Sequence, residues 1–133
     1  MRKLVVMLLI LVALLTLAGC GGVVQGVEKD YGESEIYSTA EINSAMNVVI
    51  SHFKRNFNDC ILQKLWYDEK RSLAEAQQLA QRYGVRDVII LYSDYSVSPG
   101  GGDGSLNTNY TYTNWNWILV RDGLGWKLQD WGY

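Results

Sequence analysis

The hydrophobic pattern of this chain changes its period once, near Gly84, and this change constrains the fold more than any other feature. In residues 38–83, apolar side chains recur mainly three and four positions apart, the spacing that gathers them on one face of an α-helix. In residues 87–133, β-branched and aromatic residues dominate, which is typical of strands. The order of helix, strand, helix and then three strands predicts an α+β fold with the helices on one face of a curved antiparallel sheet.

Two capping boxes predict where the helices begin. Ser38-Thr39-Ala40-Glu41 opens the first helix, since Ser38 and Glu41 can each bond a backbone N–H group that the first turn leaves unpaired. Ser72-Leu73-Ala74-Glu75 opens a shorter helix, and Gly84 is suited to the left-handed residue that ends it. A short strand, Ile61–Tyr67, is predicted between the two helices. The apolar stripe of the first helix consists of Ile42, Ala45, Met46, Val49, Phe53 and Phe57.

The remainder of the chain predicts three strands. Asp87–Val97 has a nearly continuous apolar first half, which is expected of a strand covered on both faces. Residues 98–109 contain glycines and the one proline of the chain, and they predict a loop. The strands Tyr110–Arg121 and Trp126–Tyr133 are joined by a turn at residues 122–125.

A register for the last hairpin follows if Gly123 and Leu124 are the two central residues of its turn. Leu119 then lies opposite Leu128, and Trp117 lies opposite Asp130. This register predicts an apolar core face that includes Asp130. The other members of the face are Trp115, Trp117, Leu119, Trp126 and Leu128.

The chain begins with the parts of an export signal. Arg2 and Lys3 precede an apolar stretch, Leu4–Leu17, that is too short for a membrane-spanning helix. The following Leu17-Ala18-Gly19-Cys20 resembles the lipobox of bacterial lipoproteins. The resemblance implies cleavage after Gly19, a lipid on the thiol of Cys20, and attachment to the outer face of a bacterial membrane. An exported protein whose signal ends at a cysteine by coincidence is the alternative.

Removal of the signal leaves ten of the twelve basic residues against fourteen acidic ones, a balance that argues against binding to nucleic acid. With Cys20 acylated, Cys60 is the one remaining cysteine, so no disulfide framework or zinc quartet is expected. Residues 20–35 lack sustained periodicity and predict a lipidated cysteine followed by a flexible tether. The globular domain is therefore predicted to span residues 36–133.

The C-terminal hairpin also carries a resemblance to known folds. Its segment Gly125-Trp126-Lys127-Leu128 is similar to the last hairpin of the cystatin-like, nuclear-transport-factor-2-like superfamily. Residues 115–133 resemble the C-terminal end of small bacterial lipoproteins that carry a domain of unknown function. The resemblance implies a long N-terminal helix and a shorter second helix packed on a curved antiparallel sheet of about four strands.

Asp94 and Asp130 are the candidate catalytic residues. Each interrupts an otherwise apolar or aromatic strand, and enzymes of the resembled superfamily hold a carboxylate or a histidine at the bottom of a cone-shaped pocket. A carboxylate in that position would have a raised pKa and could act as a general base. The alternative is that both aspartates lie hydrated at strand ends.

Other polar residues are assigned structural roles. His52 flanks the apolar stripe of the first helix, and this position predicts that its side chain is partly exposed and structural. Cys60 is predicted to carry a buried thiol. The alternating oxygens from Asp103 to Asn109 resemble a calcium loop, but Thr108 and Asn114 replace the glycine and glutamate that such a loop requires. The glycines at 100–104 lack the ending of a phosphate-binding loop. No metal and no cofactor is predicted.

Four aromatic residues form a candidate binding platform on the face opposite the predicted core, together with Asn114 and Asn116. They are Tyr110, Tyr112, Trp131 and Tyr133.

These observations favour a non-catalytic, lipid-anchored binding or interaction domain of the cell envelope. Its expected partners are the membrane, through the lipid, and an envelope protein, a glycan or a small apolar ligand. The alternative is a small cone-pocket enzyme, isomerase-like or dehydratase-like, with Asp130 or Asp94 as its general base. A purely structural role in joining envelope components is a third hypothesis.

Overall fold

A computed structural model describes residues 21–101 and 104–133. The predicted signal peptide and the lipid site at Cys20 lie outside the described residues. Seven elements follow in chain order: β1 (Glu28–Asp30), α1 (Thr39–Asn56), β2 (Cys60–Tyr67), α2 (Glu69–Tyr83), β3 (Asp87–Val97), β4 (Thr111–Arg121) and β5 (Lys127–Gly132).

The described strands form one mixed sheet in which the spatial order is the chain order, β1 to β5. β1 runs parallel to β2, and the other neighbours are antiparallel. The prediction of an antiparallel sheet of about four strands was therefore wrong. The extra strand, β1, is only three residues long and comes from the segment that was predicted to be a tether.

The two helices lie on opposite faces of the sheet, not on one face as predicted. Ile89 and Leu91 of β3 pack with α1, whereas Val88 and Ile90 pack with α2. Successive side chains of a strand point to opposite faces, so both faces of β3 are buried. The continuous apolar run of β3 already indicated this arrangement. The fold is a three-layer α+β domain, and its larger core lies between α1 and the sheet.

The capping boxes in the sequence predicted the start of α1 correctly and the start of α2 incorrectly. The capping box of Ser38 and Glu41 is present in full, and Gly84 ends α2 in the left-handed conformation at φ 64°. However, α2 begins at Glu69, after the cap residue Asp68, so the capping box predicted at Ser72 was wrong. Ser72 is buried inside the helix, where its Oγ accepts a hydrogen bond from the backbone N–H of Ile90.

The prediction of a flexible tether was wrong for residues 21–35. Val23 bridges Ile61, and β1 extends the same parallel pairing along β2. The backbone N–H of Gly22 donates to the carbonyl oxygen of Lys54 at 3.0 Å. A Cβ atom at Gly22 would collide with the backbone oxygen and the ring of Phe53. Gly22 therefore permits close packing on α1 and does not act as a flexible link.

The predicted register of the last hairpin was correct at one pair and wrong beyond it. Leu119 lies opposite Leu128, but a bulge then shifts the strands, so that Ile118 faces Asp130 and Trp117 faces Trp131. One extra residue reverses the side-chain alternation that follows it. Trp131 consequently lies on the α1 face, and exposed Asp130 lies on the opposite side.

Candidate functional site

The strand directions bring the start of β2, the end of β3 and the start of β4 together at one end of the domain. Cys60 pairs with Val97, and Ser96 pairs with Thr111. The last turn of α1 ends at the same place, because only three residues separate Asn56 from β2. Gly21, the residue that follows the predicted lipid site, also lies there, and its carbonyl oxygen accepts a hydrogen bond from the N–H of Asp59. We therefore call this region the anchor end.

An open cleft of about 540 Å³ lies at the anchor end, between the end of α1 and strands β4 and β5. The volume falls within the range of small-molecule sites in proteins. Its walls are mainly aromatic, with amide and hydroxyl groups at intervals. The described lining residues are His52, Asn56, Phe57, Asn58, Cys60, Ser105, Leu106, Trp115 and Trp131.

His52, the one histidine of the chain, is central to the cleft. Its ring centre lies 4.5 Å from that of Trp131, and it also contacts Phe57 and Trp117 edge-on, at 6.1 and 6.2 Å. His52 is half-buried, as the sequence predicted. The helix brings it beside the amide of Asn56, one turn further along, a residue that nothing in the sequence pattern marked.

The contacts of His52 define which ring nitrogen carries the proton. The side-chain NH2 of Asn56 lies 3.2 Å from Nδ1, and because that group only donates, Nδ1 accepts. The neutral ring then carries its hydrogen on Nε2. Nε2 is shielded from solvent and makes no hydrogen bond with a described residue. Burial, and next the positive charge of Arg55, lower the pKa of His52 below its ordinary value of 6.5, so the ring is neutral at pH 7.

The pKa of His52 predicts an acid sensitivity of folding. Between its lowered pKa and the ordinary value of 6.5, the unfolded chain binds more protons than the folded chain. The free energy of unfolding should therefore fall as the pH drops through 6.5, and this loss should level off below the folded pKa. Urea unfolding between about pH 7.5 and about pH 5.5 measures this change. The His52→Gln variant should lose less stability over that range, and an equal loss in both proteins would contradict the assignment.

Trp115 and Trp131 form the sheet side of the cleft. The Nε1–H group of Trp115 is buried and has no hydrogen-bond partner among the described residues. The ring of Trp115 contacts Tyr95, Tyr112 and Tyr133 at centroid distances of 5.4, 5.3 and 5.1 Å. Two N–H groups of lining residues, on His52 and Trp115, are therefore buried without a hydrogen-bond partner among the described residues. A ligand with a flat apolar part would match the aromatic rings, and an acceptor on it would reach the two N–H groups only after the side chains that cover them had moved.

Neither predicted catalytic carboxylate lines the cleft. Asp94 accepts a hydrogen bond from the backbone N–H of Asn114 at 3.0 Å, which holds the bulge between β3 and β4. Asp130 is exposed and accepts from the backbone N–H of Trp131 at 2.9 Å. The cone-pocket geometry that was predicted for Asp130 was wrong, because the hairpin bulge turns this residue away from α1.

The predicted aromatic platform does not form as one surface with Asn114 and Asn116. Tyr112 stacks on buried Tyr95 at 5.2 Å, on the α1 side. Asn116 pairs with Tyr92, a residue of the core under α2, and Asn114 accepts a hydrogen bond from Arg71 of that helix. The bulge between β3 and β4 separates Tyr112 from the two asparagines, and the bulge between β4 and β5 moves Trp131 to the α1 face.

Cys60 lines the cleft floor, but its side chain is fully buried, as the sequence predicted. Asp103, the first residue of the calcium-like alternation, lies outside the described residues. Within residues 21–101 and 104–133, no three histidine, cysteine or acidic side chains lie close enough to share a metal ion. None of the described helices has the length and hydropathy that crossing a bilayer requires.

The described residues form a small three-layer α+β domain with an open cleft at one end, lined in part by aromatic side chains. Comparison of this chain with protein-family models, with curated proteins and with solved structures gives no significant match.

Proposed function

We propose that this chain is a lipid-anchored protein of the bacterial cell envelope whose domain binds a ligand and does not transform it. The lipobox-like Leu17-Ala18-Gly19-Cys20 supports the anchor, since it follows a positively charged start and a short apolar stretch. Two or more acyl chains on Cys20 would hold the protein firmly, whereas a single chain gives only marginal binding.

The aromatic cleft is the observation that carries the binding role. Trp131 presents a partly exposed indole face, and the N–H groups of two other lining residues, His52 and Trp115, are buried without a hydrogen-bond partner among the described residues. None of the described lining residues is a carboxylate, and the thiol of Cys60 is inaccessible. These groups suit recognition of an uncharged amphipathic molecule, and they lack the paired acid and base that most hydrolytic or isomerising sites require.

A solvatochromic probe tests the cleft directly. The naphthalene ketone 6-propionyl-2-(dimethylamino)naphthalene has a flat apolar ring system and one carbonyl acceptor. Residues 21–133 contain both core clusters, so this fragment can be titrated without detergent. We expect saturable binding with a blue-shifted emission, and we expect Trp131→Ala to weaken it about tenfold or more.

A matched control separates the cleft from general apolar exposure. Leu73 on α2 is exposed to a similar extent as Trp131, 47% against 43%, but lies outside the cleft. The variant Leu73→Ala should bind the probe as the parent does. Equal weakening by both substitutions, or no saturable binding by the parent, would contradict the proposed site. A soluble N-acetylglucosamine–N-acetylmuramic acid disaccharide, used as a competitor, distinguishes a glycan ligand from an apolar one.

A further inference from the structure

We propose that the anchor end of the domain is a membrane-docking face, which lies directly on the lipid bilayer. This inference rests on the proposed lipid anchor and adds the orientation of the domain, which the lipobox does not specify. The partner is the bilayer surface itself, contacted through exposed apolar and aromatic side chains.

The two residues that follow the proposed lipid site are hydrogen-bonded to the folded domain. Gly21 is held by Asp59, and Gly22 is held by Lys54, at the C-terminal end of α1. Consecutive Cα atoms are about 3.8 Å apart, so a lipid on the residue before Gly21 would join the chain close to this end of the domain. A lipid on Cys20 therefore brings the anchor end to the membrane, whereas a flexible tether of the predicted length would have allowed any orientation.

The exposed apolar side chains are concentrated at this same end. Among the described residues, eight large apolar side chains are exposed, and five of them lie at or near the anchor end. The five are Val23, Ile61, Tyr110, Trp131 and Tyr133, with Tyr133 the most exposed at 78%. Ile61 lies at the start of β2, Val23 bridges it, and Tyr110 directly precedes β4. Trp131 lines the cleft beside His52, and the ring of Tyr133 contacts that of Tyr112.

The chemistry of this face suits a lipid interface. Tryptophan and tyrosine combine an apolar ring with a polar group, and they concentrate at the level of lipid headgroups in membrane proteins. Lys54 and Arg55 are exposed in the last turn of α1, where they can meet anionic headgroups. Asp59 and Asp94 bring negative charge to the same end of the domain, and the charge of Asp94 acts on the nearby Tyr133. The apolar and aromatic side chains, together with the lipid, therefore supply most of the attraction.

The orientation also defines how the cleft is reached. His52, Asn56 and Trp131 line it near the docking face, so this orientation would bring the cleft close to the headgroup layer. A ligand that reaches the cleft from the bilayer is an amphipathic molecule whose apolar part would meet the aromatic side chains of the lining.

Short-range fluorescence quenching by brominated lipid tests the docking. The full acylated protein is reconstituted into vesicles of phosphatidylcholine and phosphatidylglycerol, with or without a phosphatidylcholine brominated on its acyl chains. Mass spectrometry of the same preparation checks the acyl groups on Cys20. We expect quenching of the parent protein, and we expect Trp131→Phe to lose most of it. Trp66→Phe removes a partly buried tryptophan under α2 and should leave the quenching unchanged.

The outcomes separate the docking from the anchor. An acylated protein whose tryptophans are not quenched overturns the docking alone. Quenching that survives Trp131→Phe, or that disappears equally in Trp66→Phe, overturns the proposed orientation. A mass without acyl groups refutes the lipid anchor, and with it this inference, but leaves the probe-binding test of the cleft unaffected.

Discussion

Truncation of Trp117 to alanine is expected to lower the free energy of unfolding by about 3–5 kcal/mol, as for other buried tryptophans. The side chain is fully buried between α1 and the sheet, and its Nε1–H donates to the Oγ of Ser93 at 2.8 Å. The substitution leaves a large cavity and an unsatisfied hydroxyl group at Ser93, which is itself fully buried. A loss of this size would unfold much of a small domain, and urea unfolding monitored by circular dichroism measures it.

A fully exposed residue gives the control for this measurement. Leu124 lies in the turn between β4 and β5, and Leu124→Ala should change the free energy of unfolding by about 0.5 kcal/mol or less. The milder Trp117→Phe keeps most of the ring volume and should fall between the two. If Trp117→Ala is as stable as Leu124→Ala, the indole of Trp117 cannot lie in the core.

The hairpin shows how far strand pairing can be predicted from alternation alone. The pairing of Leu119 with Leu128 was correct because the turn at Gly123 and Leu124 defines the nearest pairs. The alternation of apolar and polar residues in the hairpin did not predict the bulge before Asp130. A bulge is a one-residue insertion that the sequence accommodates through packing, and here it exchanges Asp130 for Trp131 on the α1 face. For Asp130, one of its two candidate residues, the pocket-base hypothesis depended on that single position.

The first strand was missed for a different reason. Residues 21–35 carry glycines and little periodicity, which are also the features of a linker. β1 is only three residues long and lies at the edge of the sheet. It pairs in parallel with a strand more than thirty residues away, so no hairpin turn next to it in the sequence predicts the pairing. Gly22 was interpreted through its flexibility, whereas its small size is what the packing against Phe53 requires.

The sequence identified single residues of the candidate site but not the cleft that they form together. Trp131 was named as a binding residue, but on the wrong face, and His52 was correctly predicted to be half-buried without a partner being foreseen. The two residues are nearly eighty positions apart, and only the bulged hairpin brings their rings together. Trp115 was assigned to the core, and its sheltered N–H group became visible as a feature of the cleft only with the fold.

The second large effect is expected at Cys20. The variant Cys20→Ala removes the only thiol in the lipobox-like segment, so no acyl chain can be attached there. The cleavage after Gly19 that the lipobox resemblance implies should also fail. Cell fractionation with immunoblotting should show the acylated parent in the membrane pellet. The variant should instead appear as a larger precursor, or in the soluble fraction after cleavage elsewhere.

Cys60 provides the matched control for this substitution, because it is the other cysteine of the chain and its side chain is fully buried within the fold. The variant Cys60→Ala should keep its lipid and its membrane association, since a small cavity at Cys60 changes the core and leaves the segment before Gly21 unaltered. If the Cys20→Ala variant is cleaved normally and remains in the pellet, the membrane is held by some other part of the chain. The lipid anchor would then be refuted, and with it the docking of the anchor end that rests on it.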